Sequence, residues 1–431
     1  MTEPERTETV IVGAGPAGLA VAGRLARLGR PYVLLERAGR VGDAWHRHYE
    51  RLHLHTVKET SHLPHLPFPD DAPRYLPRAR FADYLAEYPR AMGIEPRLGE
   101  EVVRVRRSGG GRIGGGRSGG GRPDGGRTGG GREPEDGDAG ALGAPDESGG
   151  ESPEDGSAPG RWRTETATGA AFASDHVVVA TGFNRVPYAP RWPGMDVYSG
   201  TVEHSHAYRS GAPWRERAVL VVGMGNTGAE IALDLLEHGA RPAISVRGPV
   251  NVVPRDAFGR PTQLSAIMLA KLPDRLGDAL GIVLRKLTVG DLSRWGIRTP
   301  TIPPAAQIRL HGKTPVIDVG TIARVRDGSI AVRPAIERFT RDGVRFADGR
   351  EERYDHVVLA TGYRSRVEDF VEAGEELLDR HGHPAEVSPG GRHRGLHFVG
   401  FDGYSVGGLL RTIHRDSGRV AEAIAGEAAA A

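Results

Sequence analysis

Two stretches of the chain carry glycines at a spacing that can hold the pyrophosphate of a dinucleotide. They read IVGAGPAG at 11–18 and VVGMGNTG at 221–228, and each joins an apolar run to a helix-forming run. In this G-x-G-x-x-G pattern the first glycine permits a tight turn, the second lets the phosphates approach the backbone, and the third lets the helix pack against the strand. We therefore predict two dinucleotide sites in one polypeptide. Their glycines are Gly13, Gly15 and Gly18 in the first stretch and Gly223, Gly225 and Gly228 in the second.

The residue that follows the next strand differs between the two sites. In the first site it is Glu36, where a carboxylate can bind the ribose 2′-hydroxyl. In the second site it is Arg247, which pairs with a 2′-phosphate that a carboxylate would repel. We predict that the first site holds FAD tightly and that the second binds NADPH in preference to NADH, so that NADPH reduces FAD. The alternative is that Arg247 merely faces solvent.

Histidines and one lysine near residue 50 could also do chemistry. His46, His48, His53 and His55 suggest a metal site by their number, but H-x-H pairs without a carboxylate are more typical of cofactor neighbours or surface residues, so we expect no metal. The chain contains no cysteine, which excludes disulfides, thiolate nucleophiles and C-x-x-C redox centres.

The elements that must position these residues form a repeated unit. A helical pattern and a second buried strand follow each glycine turn, which gives one βαβ unit near 10–36 and another near 218–247. The nearly identical segments DHVVVATGF at 175–183 and DHVVLATGY at 355–363 end each copy in A-T-G, after a stretch that we interpret as a β-meander. The sequence thus predicts an α/β fold with two Rossmann-like dinucleotide-binding domains, each with a β-meander.

Domain boundaries follow from this duplication. We assign 1–190 to the first part of the FAD-binding domain, 191–364 to the NADPH-binding domain and 365–431 to a segment that returns to the FAD-binding domain. Within the first part, residues 108–160 are a low-complexity Gly/Arg and then acidic insert that cannot bury a core, so we predict a long disordered segment. Strand-like sequences on both sides place this insert at the tip of a hairpin.

Composition limits the partners and the location. The 57 basic and 55 acidic residues leave a formal net charge of +2, so we expect no binding to nucleic acid, although the Arg-Gly repeats resemble segments that bind single strands. No apolar run is long enough to span a membrane and the first residues do not resemble a signal peptide, so we predict a cytoplasmic protein. Residues 261–296 contain an apolar helical stretch that packs on the second domain, lines a substrate entrance or meets a membrane surface.

A longer motif lies between the two glycine sites. The segment YSGTVEHSHAY at 198–208 has Gly200, His204 and Tyr208 at fixed intervals. It resembles the fingerprint F-x-G-x-x-x-H-x-x-x-(Y/F) of the class B flavin-dependent monooxygenases, with Tyr198 in place of Phe. The resemblance implies that this interdomain fingerprint lies in the linker between the nucleotide domains, and that His204 couples their positions rather than doing acid–base chemistry.

Other segments resemble the YUCCA-type indole-3-pyruvate monooxygenases within that class. They are LHLHTVKE at 52–59, VVPRD at 252–256 and GKTPVIDVG at 312–320. In the first of these, His55 stands where amine- and sulfur-oxidising relatives have Asn, and Lys58 matches the Lys of the family. The resemblance disfavours amine oxygenation and implies that His55 and Lys58 lie near the reacting face of the flavin.

The glycine motifs and the resemblance together imply two sets of cofactor-binding residues. The segment RVGDAW at 40–45 resembles a G-G-x-W stretch that packs along the flavin, although Asp43 departs from it. The FAD set is Gly13, Gly15, Pro16, Ala17, Gly18, Glu36, Arg37, Gly42, Trp45, Thr181 and Gly400. The NADPH set is Gly223, Gly225, Asn226, Thr227, Gly228 and Arg247.

The resemblance also implies a reaction. NADPH reduces FAD, reduced flavin and molecular oxygen form a C4a-peroxyflavin, and this adduct attacks a small-molecule substrate in a dry pocket. With a 2-oxo acid such as indole-3-pyruvate, the product would be the acid shortened by one carbon dioxide. The sequence leaves open N-, S- or Baeyer–Villiger-type oxygenation of another small molecule, a reductase that passes electrons to another protein, and a non-catalytic redox-responsive binding protein.

Overall fold

The computed structural model describes residues 3–108, 161–372 and 375–430. Its α-helices, in chain order, are α1 Pro16–Arg27, α2 Asp43–Arg47, α3 Arg78–Met92, α4 Asn226–Glu237, α5 Thr262–Leu269, α6 Asp274–Thr288, α7 Pro304–His311, α8 Thr321–Arg326 and α9 Leu409–Ala430. Short 3-10 helices span Lys58–Thr60, Ala212–Trp214, Ser293–Trp295, Val367–Asp369, Glu375–Leu377 and Gly391–His393.

The strands belong to two main sheets and several small ones. In chain order they are β1 Glu5–Val12, β2 Tyr32–Glu36, β3 Arg97–Leu98, β4 Val102–Arg107, β5 Trp162–Thr166, β6 Ala171–Val179, β7 Val186–Pro187, β8 Thr201–His204, β9 Ala218–Val222, β10 Arg241–Ser245, β11 Val252–Pro254, β12 Asp256–Ala257, β13 Arg260–Pro261, β14 Val316–Asp318, β15 Ala331–Arg333, β16 Ile336–Phe339, β17 Gly343–Phe346, β18 Glu351–Arg353, β19 His356–Leu359, β20 Tyr363–Arg364 and β21 Leu396–Phe398.

The first glycine turn belongs to a seven-stranded sheet in the order β3-β2-β1-β6-β5-β4, with β21 beside β6. Strands β1, β2, β3, β6 and β21 pair in parallel, whereas β4, β5 and β6 form an antiparallel meander. Val10, Ile11 and Val12 are buried, as expected for a central parallel strand covered on both faces. We call this sheet and its helices the first module. It confirms the predicted βαβ unit and meander.

The second glycine turn belongs to a five-stranded parallel sheet in the order β15-β10-β9-β19-β8. We call this sheet and its helices the second module. Its meander, β16-β17-β18, forms a separate three-stranded sheet instead of extending the main one. The duplication is therefore confirmed, with the two meanders attached differently.

The chain returns to the first module after residue 365. Strand β21 pairs in parallel with β6, and α9 packs against α1. The turn after β21 approaches α1 closely, because a Cβ built on Gly400 would lie 3.0 Å from Ala17 Cβ. Gly400 has φ +91°, which a residue with a side chain rarely adopts.

The predicted insert at 108–160 lies outside the described residues, apart from Ser108. Strands β4 and β5, which flank it, pair antiparallel, and the Ser108 amide donates to the Arg161 carbonyl at 2.9 Å. The flanking strands are thus those predicted from the sequence. Within the described parts of the chain, no helix has the length and apolar character needed to cross a membrane.

Candidate active site

The first glycine turn has the geometry that a pyrophosphate requires. Gly13 has φ +103°, and a Cβ on Gly18 would lie only 1.8 Å from the Gly13 carbonyl oxygen, so neither position accommodates a side chain. A Cβ on Gly15 would meet nothing within 4 Å. The space above Gly15 is therefore open on the side where a phosphate would approach. Within the described chain, no side chain caps α1 and no acidic residue lies in its first turn, so its N-terminal amides are available to an anion.

The second glycine turn repeats this geometry. Gly223 has φ +106°, a Cβ on Gly228 would lie 2.0 Å from the Gly223 carbonyl oxygen, and a Cβ on Gly225 would meet nothing within 4 Å. Helix α4 likewise has no side-chain cap and no acidic residue in its first turn, as far as the described residues go. Asn226 ties this turn to β14, because its side chain accepts from the Ile317 amide and donates to the Pro315 carbonyl. Both turns fit a dinucleotide.

The residues that end the second strand of each unit are placed differently. The Glu36 carboxylate ends β2 and accepts from the amides of Ala14 and Ala38 at 2.8 and 3.0 Å, which fixes it beside the first glycine turn. Arg247 is exposed and lies two residues beyond the end of β10. Its side chain is therefore accessible to solvent, and its role in nucleotide binding stays a prediction.

Each A-T-G segment packs against the glycine turn of its own module. A Cβ on Gly13 would lie 3.0 Å from the Ala180 carbonyl oxygen, and a Cβ on Gly223 would lie 2.7 Å from that of Ala360. The Thr181 hydroxyl is shielded from solvent and has no hydrogen-bond partner among the described residues. An unpartnered hydroxyl beside the first glycine turn is consistent with a site that a cofactor completes.

Three other residues of the predicted FAD set lie in the segment that follows β2. The Gly42 amide donates to the Ala14 carbonyl at 3.0 Å, so this segment is held against the glycine turn. Trp45 packs edge-on against Phe81, with ring centroids 4.4 Å apart. Arg37 is exposed just after β2. The flavin-binding roles of these residues stay predictions.

A large cavity of about 590 Å³ opens beside the second glycine turn. One part of its wall is the start of α4, the A-T-G segment of the second module and His55. Another part consists of helices α5, α6 and α7, and a third is the turn at 402–409 before α9. Of the predicted site residues, His55, Gly225, Asn226 and Thr227 line this cavity, whereas Lys58 and the glycines of the first turn do not.

His55 is held by a carboxylate that the sequence analysis did not identify. Its Nε2 donates to Glu230 Oε1 at 2.5 Å, and the Glu230 side chain is only 3% exposed on α4. Arg51 Nη1 lies 3.9 Å from the other carboxylate oxygen. Burial and the neighbouring Glu230 carboxylate raise the pKa of Tyr49 well above its ordinary value, so this phenol stays protonated. These contacts join the segment 49–55 of the first module to a helix of the second.

Gln263 was also not identified from the sequence. From α5, its amide accepts from the Val57 amide at 2.8 Å and donates to Thr60 Oγ1 and to the Gly407 carbonyl. A Cβ on Gly408 would lie 2.5 Å from Thr56 Cγ2, so the glycine turn before α9 packs tightly on the same segment. One side chain therefore holds three pieces of the cavity wall together.

Lys58 contacts a loop of the first part of the chain, and its predicted place beside the flavin stays a prediction. Its ammonium donates to the carbonyl oxygens of Asp70 and Ala72 at 2.5 and 2.9 Å, and it lies outside the cavity wall. These contacts hold the loop at 69–72. They give no support to the predicted position beside the reacting face of the flavin.

The fingerprint segment contributes a strand to the second module. Residues 201–204 form β8, the edge strand of the second sheet. The His206 amide donates to His204 Nδ1, and His204 Nε2 donates to the Gly362 carbonyl, both at 3.0 Å, which assigns the neutral Nε2–H tautomer. Burial lowers the pKa of His204, which also favours the neutral ring. His204 thus holds the A-T-G turn of the second module.

The other two fingerprint positions are also explained by packing. A Cβ on Gly200 would lie 2.4 Å from the Tyr198 hydroxyl and 2.7 Å from the Asp355 carbonyl oxygen, so only glycine fits. The buried Tyr208 hydroxyl donates to Asp234 Oδ2 on α4 at 2.6 Å.

Among the residues that the structure describes, no cluster of histidines and carboxylates is arranged to hold a metal ion.

Comparison with known proteins decides the family. A family profile described as flavin-binding monooxygenase-like matches residues 151–376, and one described as pyridine nucleotide-disulphide oxidoreductase matches residues 10–113. Indole-3-pyruvate monooxygenase YUCCA1 of Oryza sativa subsp. japonica is 37% identical over 95% of this chain and 90% of its own length. The chain belongs to the flavin-binding monooxygenase-like family. YUCCA6 of Arabidopsis thaliana, also an indole-3-pyruvate monooxygenase, is 35% identical over 98% of this chain and 92% of its own length.

Solved structures agree on the fold of this flavin-binding monooxygenase-like chain. The flavin-containing monooxygenase of Stenotrophomonas maltophilia superposes with a TM-score of 0.67 at 19% identity, over 98% of this chain and 99% of the other. Membership makes the chain an oxidoreductase that uses a flavin and a pyridine nucleotide to act on a small molecule with oxygen. Family membership therefore favours an enzyme over the alternative of a non-catalytic redox-responsive binding protein. The absence of cysteine excludes a thiol-based disulfide reductase, despite the second profile.

Proposed function

We propose that this monooxygenase oxidatively decarboxylates a 2-oxo acid, with indole-3-pyruvate as the first candidate. The observation that carries the proposal is the cavity that joins the start of α4, His55 and the apolar helices α5 to α7 in one enclosure. Relatives that match nearly the whole chain are named indole-3-pyruvate monooxygenases. We also propose that the NADPH- and FAD-binding domains have the boundaries predicted above, and that the protein acts in the cytoplasm.

The overall reaction balances with the cofactors of the family. One 2-oxo acid anion, one NADPH, one proton and one molecule of oxygen give the shortened acid anion, carbon dioxide, NADP⁺ and water. The bond between the keto carbon and the carboxylate breaks, and one oxygen atom of O₂ enters the new carboxylate. When bound, the flavin supplies the activation of oxygen.

The chain's own residues supply position and a dry enclosure. The start of α4 binds nucleotide phosphates, and Arg247 pairs with the 2′-phosphate that distinguishes NADPH from NADH. His55, fixed by Glu230, and the wall segment fixed by Gln263 shape the cavity between the two modules. Ala266, Leu269, Leu284 and Ile308 give the wall at α5 to α7 an apolar surface that excludes water and suits an aromatic or alkyl group.

The proposal is tested by offering one flavin-loaded preparation different substrate classes in the presence of NADPH. A 2-oxo acid, an amine, a sulfide and a ketone are compared for product formed per NADPH. Catalase must be present, because free hydrogen peroxide decarboxylates 2-oxo acids without an enzyme. The proposal expects coupled turnover with the 2-oxo acid. Coupled turnover with only an amine, a sulfide or a ketone would replace it by N-, S- or Baeyer–Villiger-type oxygenation.

A further inference from the structure

Four cationic side chains line the cavity, and two of them already have acidic partners. Arg309 forms ion pairs with Asp274 at 3.4 Å and Asp278 at 2.8 Å. Arg255 lies 3.3 Å from the Asp256 carboxylate, and its guanidinium is 4.2 Å from the centre of the Tyr75 ring. Their charges are balanced within the protein. The other two are Lys313, which is exposed, and Arg285.

Arg285 differs from these side chains because it is half-buried and its guanidinium has no acidic partner among the described residues. Its Nε is shielded from solvent and makes no hydrogen bond there. Its Nη1 donates to Asn251 Oδ1 at 3.2 Å, which is a neutral acceptor. An anion that reached this half-buried guanidinium would balance its charge and accept from the shielded Nε. Burial also lowers the pKa of Arg285, in line with this incomplete solvation.

The orientation of Arg285 is fixed by a buried polar chain. The Asn251 Nδ2 donates to the Ile302 carbonyl and to Gln307 Oε1, both at 3.0 Å. These two bonds leave the amide oxygen of Asn251 to face Arg285. Gln307 is held in turn because its Nε2 donates to the Lys313 carbonyl at 2.9 Å. The guanidinium is therefore presented to the cavity by a fixed scaffold rather than by a flexible surface loop.

The surroundings of Arg285 fit an anion that carries an apolar group. Arg285 follows Leu284 on α6, and α6 packs against α7, which contributes Ile308 to the same cavity. The nucleotide phosphates have their own site at the start of α4 and at Arg247. A planar carboxylate matches the paired N–H groups of a guanidinium.

We propose that Arg285 binds the carboxylate of the substrate and makes the enzyme selective for aryl or alkyl 2-oxo acids. This inference rests on the proposed function and deepens it, because it assigns the cation that recognises the acid group. Gly281 and Leu284, one helical turn and one residue before Arg285, line the adjacent wall where the apolar part of the substrate would lie.

The first test compares turnover of indole-3-pyruvate with inhibition by its neutral methyl ester, which has no free carboxylate to leave as carbon dioxide. Arg285→Gln is expected to lower kcat/KM for the acid by about 10- to 100-fold, because a hydrogen bond to a charged group is lost, and to change the inhibition constant of the ester by less than about threefold. The KM for NADPH should stay unchanged. Arg285→Lys should retain part of the preference for the acid, since it keeps the charge but loses the planar fork.

The matched control is Lys286→Gln, which removes a positive charge from the next residue of α6. Lys286 is exposed and does not line the cavity, so the kcat/KM for the acid and the inhibition constant of the ester should remain those of the unmodified enzyme. An equal loss of kcat/KM for the acid and of affinity for the ester in Arg285→Gln would overturn the inference. A raised KM for NADPH with both of these values unchanged would also overturn it and assign Arg285 to the nucleotide.

A binding measurement separates this inference from the proposed function. Calorimetry on the flavin-loaded protein compares indole-3-acetate with its neutral amide, indole-3-acetamide. The carboxylate should bind at least about tenfold more tightly, and Arg285→Gln should remove that preference. If no 2-oxo acid is turned over but this preference holds, the proposed reaction fails and the carboxylate site stands. If indole-3-pyruvate is turned over but Arg285→Gln leaves both measurements unchanged, the reaction stands and the site fails.

Discussion

His55 Nε2 lies 2.5 Å from Glu230 Oε1, and this hydrogen bond joins the two nucleotide-binding modules at the edge of the cavity. Glu230 sits one turn into α4, the helix that begins at the second glycine motif. The imidazole is 13% exposed and the carboxylate 3%, so the pair is shielded from competing water. The bond therefore ties α4, which begins at the second glycine turn, to His55 in the wall of the cavity.

Breaking this pair should uncouple the enzyme. His55→Ala leaves the Glu230 carboxylate buried without its closest partner, which should lower the free energy of unfolding by about 1–3 kcal/mol. Reduction by NADPH should persist, because the second glycine turn is intact, but a larger share of the consumed NADPH should appear as hydrogen peroxide. Glu230→Gln should shift that share in the same direction. The measurement is peroxide released per NADPH, with denaturant unfolding alongside.

Glu237→Gln is the control for this pair, because Glu237 lies on the same helix, is 51% exposed and pairs with Arg51. It should leave the coupling unchanged. If His55→Ala and Glu230→Gln both release peroxide at the rate of the unmodified enzyme, the pair has no role in enclosing the reaction.

The open space above the second glycine of each turn gives a prediction that separates folding from cofactor binding. Gly15→Ala and Gly225→Ala should fold normally, since an added Cβ meets nothing within 4 Å and neither backbone has a positive φ. The methyl group would occupy the path of the pyrophosphate. Purified Gly15→Ala should therefore contain little flavin, whereas Gly225→Ala should retain flavin and show a raised KM for NADPH. Gly426→Ala on α9, also with an open Cβ position, should alter neither value.

Arg247 should set the choice between the two nicotinamide cofactors. Its exposed guanidinium beyond β10 is accessible to a 2′-phosphate, and a glutamate there would repel that group. Arg247→Glu should raise the KM for NADPH by about tenfold or more and change that for NADH much less. An unchanged ratio of the two KM values would remove Arg247 from the nucleotide site.

A buried histidine pair should make the fold sensitive to mild acid. His176 Nδ1 and His397 Nε2 lie 3.2 Å apart in the first module, and burial with the neighbouring His176 lowers the pKa of His397 from 6.5 to about 3. The unfolded chain takes up a proton near its ordinary pKa while the folded chain does not. The stability that this group contributes is therefore present above pH 6.5 and is lost as the pH falls towards 3.

For His397 alone, the loss between about pH 7 and about pH 5 amounts to about 2 kcal/mol. His397→Gln should make the fall in unfolding free energy over this range smaller by that amount, as measured by urea denaturation at both pH values. As a control, His381→Gln at an exposed position should leave the fall in the free energy of unfolding between the two pH values unchanged. If the free energy of unfolding falls by the same amount in His397→Gln and in the unmodified protein, the His397 ring titrates at its ordinary pKa in the folded protein and the prediction is wrong.

The sequence predicted those parts of the fold that depend on local patterns. The glycine turns, the two βαβ units, the A-T-G strands and the strands beside the insert follow from spacing over a few residues, and the structure contains all of them. The glycine patterns can be recognised in the sequence because the turns are packed too closely for any other residue at some positions. Gly18 and Gly228, for example, each face the carbonyl oxygen of the first glycine of their own turn.

The contacts that shape the cavity could not be predicted in this way. Glu230 and His55 are 175 residues apart in the sequence, and Gln263 and Val57 are 206 residues apart. No short sequence motif therefore contains both members of either pair. Glu230 reads in the sequence as one more polar residue of an amphipathic helix. Lys58 matches a family motif, but nothing in the sequence indicated its contacts with the loop at 69–72. Its role near the flavin stays a prediction.

The measurement that tests the central claim most directly is the ratio of product acid to NADPH. Flavin-loaded protein is given indole-3-pyruvate, NADPH and oxygen with catalase, and indole-3-acetic acid is quantified against the NADPH consumed. The account predicts one acid formed for each NADPH consumed, and the same yield whether catalase is present or absent. NADPH consumption without acid formation in the presence of catalase would contradict it.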